Sequence, residues 1–363
     1  MKAFDYSLVK DPQYFCDNRM EAHSDHVYYR DGNEMQTAVQ DGTETSFRYS
    51  LNGLWKFHYA RNYKSAVQGF EKKDYCCYDW DDIHVPAHIQ MEGYDAPQYA
   101  NVQYPWEGHE EIYPGQIPER FNPVASYVKY FTVPEHMKGK RLFISFQGAE
   151  SGLALWLNGA FVGYSEDSFT PSEFELTDYL KDGQNKLAAQ VFKWTSSSWC
   201  EDQDFFRFSG IYRDVYLYAI PEVHVSDVKI QTLLDDTFTK ADLVIDTKAT
   251  KAGKVKITLS KDGKELQSVE ETLAEESQYV MKVEKPELWS AESPVLYDLL
   301  LEVMDENGQV TEVIPQRVGF RRFEMKDSIM MLNGKRIVFK GVNRHEFSSV
   351  SGRVVSREEL IKD

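Results

Sequence analysis

The residues best suited to chemistry form a cluster of carboxylates near the middle of the chain. Glu201, Asp202 and Asp204 stand close together in the sequence, and carboxylate oxygens are the ligands that hard cations prefer. The same cluster is also typical of a solvated acidic loop. Its residue types alone therefore leave a cation or ligand site and an ordinary surface loop both open.

Two other groups of residues lack the geometry that their types suggest. His84 and His88 have the i, i+4 spacing of zinc ligands on a helix, but Pro86 lies between them and would break that helix. The four cysteines include the adjacent Cys76 and Cys77 and no CxxC pair. We therefore predict neither a zinc site nor a disulfide framework.

The composition excludes several classes of protein. The chain has 363 residues and a net charge of −17, so it would repel phosphate backbones, and no run of Lys and Arg offsets this. No stretch approaches the length of an apolar membrane span, and the first ten residues lack the apolar centre of a signal peptide. We expect a cytoplasmic protein that binds neither nucleic acid nor membranes.

The elements that must position these residues are predominantly short strands. A polar, irregular arm occupies residues 1–48, and alternating segments joined by turns then predict a jelly-roll sandwich over residues 49–220. Asn158 and Gly159 separate two such segments, which is the pattern of a tight hairpin. Residues 221–323 contain six or seven further short strands and predict an immunoglobulin-like sandwich without a disulfide.

The last segment, residues 324–363, has a different pattern. An apolar run at residues 336–342 predicts a buried strand, and Ser356 and Glu359 have the spacing of a capping box that starts a helix. One strand and one helix cannot bury their own faces, and a (β/α)8 barrel needs about 250 residues. We expect this segment to be the first βα unit of a truncated barrel, and the chain to be the front part of a longer protein.

Several long motifs, in order, resemble those of family 2 glycoside hydrolases, in particular the bacterial lactose-cleaving β-galactosidases. They are residues 50–57 (SLNGLWKF), 85–99 (VPAHIQMEGYDAPQY), 101–105 (NVQYP), 201–215 (EDQDFFRFSGIYRDV) and 341–346 (GVNRHE). The resemblance covers nearly the whole chain and is weakest between about residues 224 and 280. It implies a jelly-roll sugar-binding domain, an immunoglobulin-like domain and a barrel, in that order.

The resemblance implies an activity for the complete protein, namely retaining hydrolysis of terminal β-D-galactosides such as lactose by double displacement. This chemistry needs two carboxyl groups about 5 to 5.5 Å apart. The family's acid/base residue follows an Asn, but here the Asn-Glu pair is Asn33-Glu34, which lies in the polar arm and is interpreted as a chance match. We expect both catalytic glutamates beyond Asp363 and no hydrolysis by this chain alone.

The resemblance also implies three substrate-binding residues in this chain. Asn101 matches an Asn that reaches the galactose pocket, although an Asx turn is the alternative, and Asp202 matches an Asp that touches galactose and helps to hold sodium. His345 matches a His that hydrogen-bonds the sugar in the transition state. Trp106 and Trp199, near two of the motifs, are the tryptophans best placed to stack on a sugar.

Sodium and magnesium ions, no organic cofactor, the remainder of the barrel and a homo-oligomer of the complete enzyme are further implications of the resemblance. Two alternatives remain open. The chain could be a free-standing carbohydrate-binding module, for which the C-terminal βα segment would have no use. It could also belong to a family 2 hydrolase for another sugar, a β-glucuronide or a β-mannoside.

Overall fold

The computed structural model describes residues 3–201 and 204–363. The chain divides into two compact units. The first unit comprises Met1–Glu21, Arg48–Ala219 and Arg344–Asp363, and the second comprises Ala22–Phe47 and Ile220–Asn343. The predicted arm is therefore shared between the two units. Within the described ranges, no helix is long and apolar enough to cross a membrane.

The first unit is built on antiparallel strands. They are β1 (Cys16–Asp17), β2 (Arg48–Ser50), β3 (Gly53–Ala60), β4 (Asp81–Val85), β5 (Gln98–Ala100), β6 (Val124–Thr132), β7 (Arg141–Phe146), β8 (Ala149–Glu150), β9 (Gly152–Leu157), β10 (Ala160–Ser165), β11 (Ser172–Glu175), β12 (Gln184–Phe192), β13 (Phe205–Arg207), β14 (Gly210–Ile211) and β15 (Val215–Ile220). Its helices are short: Tyr6–Lys10, Tyr63–Ser65, Glu135–Met137, Thr177–Tyr179, Ser198–Glu201 and Arg357–Lys362.

Two sheets form the sandwich of the first unit. The larger sheet has the order β1-β10-β9-β12-β6-β3-β4, and the smaller has the order β11-β7-β15-β2. Every residue of β9 is buried, which means that this central strand is covered on both faces. The β9–β10 hairpin turns at Asn158 and Gly159, both with positive φ, as a two-residue turn of this kind requires. The jelly-roll prediction is confirmed.

The N-terminal residues of the chain pack on this sandwich. The Phe4 ring stacks on Phe192 with 5.8 Å between centroids, Tyr6 lies 5.3 Å from the same ring, and Val9 is completely buried. β1 extends the larger sheet by pairing with β10. This part of the arm therefore contributes to the core of the first unit.

The second unit contains a second β-sandwich. Its strands are β16 (Val225–Leu234), β17 (Lys240–Ala249), β18 (Gly253–Lys261), β19 (Lys264–Leu273), β20 (Glu276–Glu284), β21 (Tyr297–Met304) and β22 (Val310–Val318). They form sheets of order β16-β17-β20 and β19-β18-β21-β22, which agrees with the immunoglobulin-like prediction. The edge strand β19 is mostly exposed and rich in charge, a composition that discourages pairing with other chains.

The longest element of the arm that was not predicted from the sequence is a helix at Gly32–Asp41. Asp31 caps it by accepting from the Glu34 amide, and Gly42 ends it with φ of 67°. The Glu34 carboxylate accepts from the amides of Arg30 and Ser46, each at 2.6 Å. Glu34 thus has a structural role, consistent with interpreting Asn33-Glu34 as a chance match.

The prediction of a buried strand at residues 336–342 is wrong. A small sheet of β23 (Phe323–Lys326), β24 (Ile329–Leu332) and β25 (Lys335–Arg336) precedes this stretch, and residues 337–343 are irregular. Val338, Phe339 and Val342 are 61%, 65% and 91% exposed. A parallel strand is stable only with its faces covered. The Ile337 amide still donates to the Met330 carbonyl of β24 at 2.9 Å, but no strand among the described residues pairs with residues 338–343. The capping box at Ser356 and Glu359 is confirmed at the start of the final helix.

Candidate functional site

An open pocket of about 740 Å³ lies in the first unit. Three segments of the chain that are far apart in sequence line it: the end of β5, the β13 region and the residues before the C-terminal helix. The lining side chains are Tyr99, Asp204, Phe206, Phe208, Arg344, His345, Glu346, Phe347 and Arg353. This pocket brings together parts of three of the motifs found in the sequence.

Pairing of β5 with β13 builds one wall of the pocket. The register sets Tyr99 opposite Phe206, and their rings lie 5.6 Å apart. The Tyr99 hydroxyl donates a hydrogen bond to Asp204, which raises the pKa of Tyr99. The Asn101 side chain also hydrogen-bonds Tyr99. Asn101, Tyr99 and Asp204 therefore form a connected polar group at the pocket.

Three nearly parallel phenylalanine rings form an apolar wall. Phe206 lies 5.9 Å from Phe208 and 5.2 Å from Phe347, with interplanar angles of 19° and 21°. Phe206 and Phe347 are 38% and 42% exposed, so part of each ring is accessible. An aromatic wall beside carboxylates suits a ligand with both C–H faces and hydroxyl groups, as in a sugar ring.

His345 and Glu346 complete the polar side of the pocket. Both are exposed, and both lie in the irregular stretch before the C-terminal helix. Their neighbour Arg344 forms an ion pair of 2.9 Å with Asp363, so Asp363 rather than Glu346 is its ion-pair partner. The structure thus places the predicted residue His345 in the same pocket as Tyr99 and Asp204.

The structure separates members of the acidic cluster. Asp202 lies outside the described residues. Glu201 accepts hydrogen bonds from the Ser168 amide and hydroxyl at 3.1 and 2.7 Å, and burial raises its pKa. Asp204 instead lines the pocket. Of the two described carboxylates, Asp204 is therefore the one available to a ligand.

The described residues do not complete a metal site. No group of three or more His, Cys, Asp and Glu side chains suitable for a metal ion occurs among them. Asp204 and Glu346 supply oxygen atoms of the type that sodium and magnesium prefer. Two such carboxylates are not by themselves a coordination shell.

Two sequence-based expectations about other side chains can be compared with the structure. Trp106 is 4% exposed and packs on Tyr104, so it offers no free face to a sugar, and that part of the prediction is wrong. Trp199 is half-buried and donates from its indole to the Gln116 carbonyl at 2.8 Å. His88 is buried between the rings of Phe208 and Tyr212.

The sequence reasoning missed the aromatic wall and the ion pair beneath it. Tyr99 and Phe206 belong to motifs that were recognised, but their roles follow only from the β5–β13 register. Arg353 bonds Glu150, which is 203 positions away in the sequence. No local pattern indicates a pair at that separation.

A second concavity in the same unit, of about 600 Å³, is lined by Asp95, Trp106 and Lys193 among others. Lys193 and Asp95 form an ion pair of 2.6 Å, and both side chains are buried. Their charges satisfy each other, which leaves the 740 Å³ pocket as the better candidate for a ligand.

Comparisons with known proteins identify the family of this chain. Residues 48–221 match the family description "Glycosyl hydrolases family 2, sugar binding domain", residues 223–321 match "Glycosyl hydrolases family 2", and residues 323–363 match "Glycosyl hydrolases family 2, TIM barrel domain". A solved β-glucuronidase of Bifidobacterium dentium, in complex with coumarin-3-O-glucuronide, superposes with a TM-score of 0.71 at 21% identity. The superposed region covers 88% of this chain and 56% of the β-glucuronidase chain. This likeness concerns the fold.

Among curated relatives, a β-galactosidase of Halalkalibacterium halodurans is 49% identical over 98% of this chain and 35% of its own length. A β-galactosidase large subunit of Leuconostoc lactis is 40% identical over 98% of this chain and 58% of its own length. The chain thus spans little more than a third of the first relative and somewhat over half of the second. With successive matches from residue 48 to its last residue, the chain belongs to family 2 of the glycosyl hydrolases.

Proposed function

We propose that this chain supplies the substrate-binding part of a β-galactosidase that cleaves terminal β-D-galactosides, such as lactose, with retention of configuration. The observation that carries the proposal is the pocket in which Tyr99 and Asp204 lie together with His345 and Glu346. The names of the relatives that are 49% and 40% identical support galactose as the sugar.

In this proposal the chain binds and orients the sugar. The Asn101 amide donates to one hydroxyl and accepts from another, Asp202 accepts from a galactose hydroxyl, and His345 donates to the sugar as charge develops in the transition state. The phenylalanine wall packs against the C–H face of the ring. In this proposal the polar groups face the hydroxyls of the pyranose, and the apolar wall faces its C–H groups.

The bond-breaking carboxylates belong, in this proposal, to the part of the complete enzyme that this chain does not contain. Double displacement needs a nucleophile and a proton donor about 5 to 5.5 Å apart. The support is that the chain covers 35% of its 49% identical relative, which leaves room for most of a barrel. The proposal also includes a sodium ion bound at Asp202 and a magnesium ion in the complete enzyme.

The partner that the chain needs is the remainder of the barrel. Val338, Phe339 and Val342 are exposed apolar side chains in the segment that matches the barrel family, and such surface favours burial against another part of a protein. A relative named as a large subunit supports assembly from more than one chain. We further propose that the complete enzyme is a homo-oligomer, as the family resemblance implies, and that it works in the cytoplasm, since the spacing of the four cysteines predicts no disulfide framework.

The first test is turnover of a chromogenic β-galactoside by the purified 363-residue chain and by the complete enzyme. We expect hydrolysis by the complete enzyme only. Hydrolysis by the chain alone would contradict the placement of the catalytic carboxylates. A complete enzyme that prefers β-glucuronides or β-mannosides would contradict the choice of sugar.

A galactose titration of the isolated chain separates the proposal from a free-standing binding module. The proposal expects weak binding, because the site is shared with the rest of the barrel. Tight binding by the chain alone would favour the module.

A substitution tests the role of Asp202. In the complete enzyme, Asp202→Asn should weaken galactose binding and the response to sodium together, whereas Asp262→Asn, at an exposed turn, should change neither. If both properties survive in the Asp202 variant, the assignment is wrong.

A further inference from the structure

A tight turn at residues 348–352 lies directly after the pocket residues His345 to Phe347. Ser348 and Gly352 exchange backbone hydrogen bonds of 2.7 and 2.9 Å. Gly352 has φ of +66°, and a Cβ at this position would come within 2.9 Å of the His88 ring and 3.2 Å of Phe208. The turn therefore lies against these two rings closely enough to require glycine.

Arg353 attaches the end of this turn to the sandwich. Its guanidinium donates to the Glu150 carboxylate and lies 5.4 Å from the Phe208 ring and 5.6 Å from the Tyr212 ring. The side chains of Arg353 and Glu150 are 18% and 10% exposed. The rings and the carboxylate together restrict the orientation of this planar cation.

Glu150 itself is buried and is not one of the residues that line the pocket. It ends β8, where it pairs with Gly210 of β14, two residues after Phe208. Burial raises the pKa of Glu150, and the nearby charge of Arg353 opposes that rise. The carboxylate thus depends on Arg353 as its charge partner.

The segment of residues 344–353 is consequently attached to the sandwich through two side chains. Phe347 stacks on Phe206 at 5.2 Å, and Arg353 bonds Glu150. His345 and Glu346 lie before both attachments and have exposed side chains. Nothing in their own backbone pattern fixes them, since residues 337–347 have no regular secondary structure.

We infer that Glu150 is a positioning residue for the sugar site: through Arg353 it holds His345 and Glu346 against the aromatic wall. The inference rests on the proposed function for its effect on catalysis, but the positioning itself is a property of this chain. Glu150 does not touch the sugar. It determines where the residues that do touch it are held.

The catalytic test compares Glu150→Gln with a control in the complete enzyme. Displacement of binding groups by about 1 Å can cost about 100-fold in rate, so we expect kcat/KM for a chromogenic β-galactoside to fall roughly 10- to 100-fold. The control is Lys186→Gln, which removes another buried charge of the same unit. Lys186 donates to the carbonyls of Phe70, Lys72 and Tyr75. The Lys186→Gln substitution should therefore lower Tm while leaving kcat/KM within about twofold of the wild-type value.

A double variant distinguishes positioning from general damage. Glu150→Gln with Arg353→Gln leaves no unpaired buried charge and allows an amide–amide hydrogen bond, so it should recover part of the kcat/KM lost in the Glu150 single variant. Arg353→Lys keeps the charge but loses the planar stacking, and it provides a milder variant if the Gln substitutions do not fold. Equal losses of kcat/KM in the Glu150 and Lys186 variants at equal Tm would overturn the inference.

Hydrogen exchange tests the positioning without any substrate. In the 363-residue chain, Glu150→Gln should speed amide exchange across residues 344–353 at least tenfold and leave β9 and β12 protected, whereas Lys186→Gln should leave residues 344–353 unchanged. Unchanged exchange in the Glu150 variant would overturn the inference. If residues 344–353 exchange faster in the Glu150 variant but the complete enzyme has no galactosidase activity, the positioning is supported and the proposed function is contradicted.

Discussion

The two β-sandwiches of this chain have similar strand architectures but bury different kinds of side chain. The first unit buries Glu150, Glu166, Lys186 and Lys193 among large aromatic rings, whereas the buried side chains of β17, β18 and β21 in the second unit are mainly aliphatic. Among the described residues of the second unit, the buried ionisable residues are His26, His224 and Glu312 and the tyrosines Tyr28, Tyr279 and Tyr297.

The difference follows from what the buried charges bind. Lys186 holds the carbonyls of a loop around residues 70–75, and Glu150 holds the turn before the C-terminal helix through Arg353. A buried charge is tolerated only when it is paired or hydrogen-bonded, so each such group fixes a segment that is distant in sequence. The buried charges of the first sandwich therefore fix loops that are distant in the sequence.

The largest expected effect comes from the pocket of the first unit. In the complete enzyme, His345→Ala should lower kcat/KM for a β-galactoside by about 100-fold or more, because a donor to developing charge is lost. The matched control is His84→Ala, since His84 is an exposed histidine on β4. Equal activity of the two variants would contradict the assignment of His345 to the site.

A core substitution should show that the first sandwich also holds the N-terminal arm. Phe192→Ala should destabilise the first unit by about 3 to 5 kcal/mol and also make residues 3–11 sensitive to protease, because Phe4 and Tyr6 pack on that ring. Leu301→Ala in the second sandwich should cost about 2 to 5 kcal/mol without exposing the arm. Urea unfolding and timed proteolysis measure the two effects, and an arm that stays protected in the Phe192 variant would contradict the comparison.

The pH dependence of stability should reflect the buried carboxyl groups of the first unit. Burial raises the pKa of Glu166 to about 7, so between about pH 4.5 and 7 the folded state keeps a proton that the unfolded state has released. The stability contributed by this group is therefore lost as the pH rises through that window. The loss should be about 3 kcal/mol, and Glu166→Gln should abolish it.

Urea unfolding at pH 5 and pH 8 measures this loss, and the difference between wild type and variant isolates Glu166 from all other titrating groups. Asp235 in the second unit is the contrasting control. Hydrogen bonds, above all from Thr237, lower its pKa to about 2, so its contribution is present at neutral pH and is lost as the pH falls from about 4 to 2. Asp235→Asn should leave the slope between pH 5 and 8 unchanged, and the same slope in wild type and in the Glu166 variant would contradict the assignment.

Much of the fold could be predicted because local signals determine it. The adjacent residues Asn158 and Gly159 encode the hairpin, because both adopt positive φ. The capping box is encoded by the three-residue spacing of Ser356 and Glu359. The helix at Gly32–Asp41 also had its caps in the sequence, Asp31 and Gly42, but its polar composition hid the helical period. Residues 336–342 have the composition of a strand, and the exposure of Val338, Phe339 and Val342 reflects the lack of a strand that pairs with residues 338–343 among the described residues.

The candidate site was only partly predictable, for a different reason. His345 and Asn101 came from motifs, and the structure places His345 in the pocket and Asn101 beside it, whereas Asp202 remains outside the described residues. The ion pair of Arg353 with Glu150 joins positions 203 residues apart, and the phenylalanine wall depends on strand register. Interactions of this kind arise from tertiary packing, which periodicity and spacing do not encode.

The smallest expected effect comes from two turns that look alike in sequence. Asn158-Gly159 in the first sandwich and Asp262-Gly263 in the second both begin with a residue of positive φ, 54° and 50°. The Asn158 side chain donates to the Tyr179 carbonyl and to Asn185, and it accepts from the Lys186 amide. Asp262 is 87% exposed and has only a loose 3.8 Å contact with Lys261, which contributes little.

Substitution by glycine at both turns isolates the side-chain contribution, because glycine adopts positive φ without strain. Asn158→Gly loses three hydrogen bonds of about 1 kcal/mol each and should cost about 2 to 3 kcal/mol. Asp262→Gly should change stability by no more than about 0.5 kcal/mol. Six of the seven tryptophans precede Pro221 and Trp289 follows it, so fluorescence during urea unfolding reports mainly on the first unit and circular dichroism on both. Equal costs at the two turns would mean that the first sandwich gains nothing from fixing its loops through buried polar side chains.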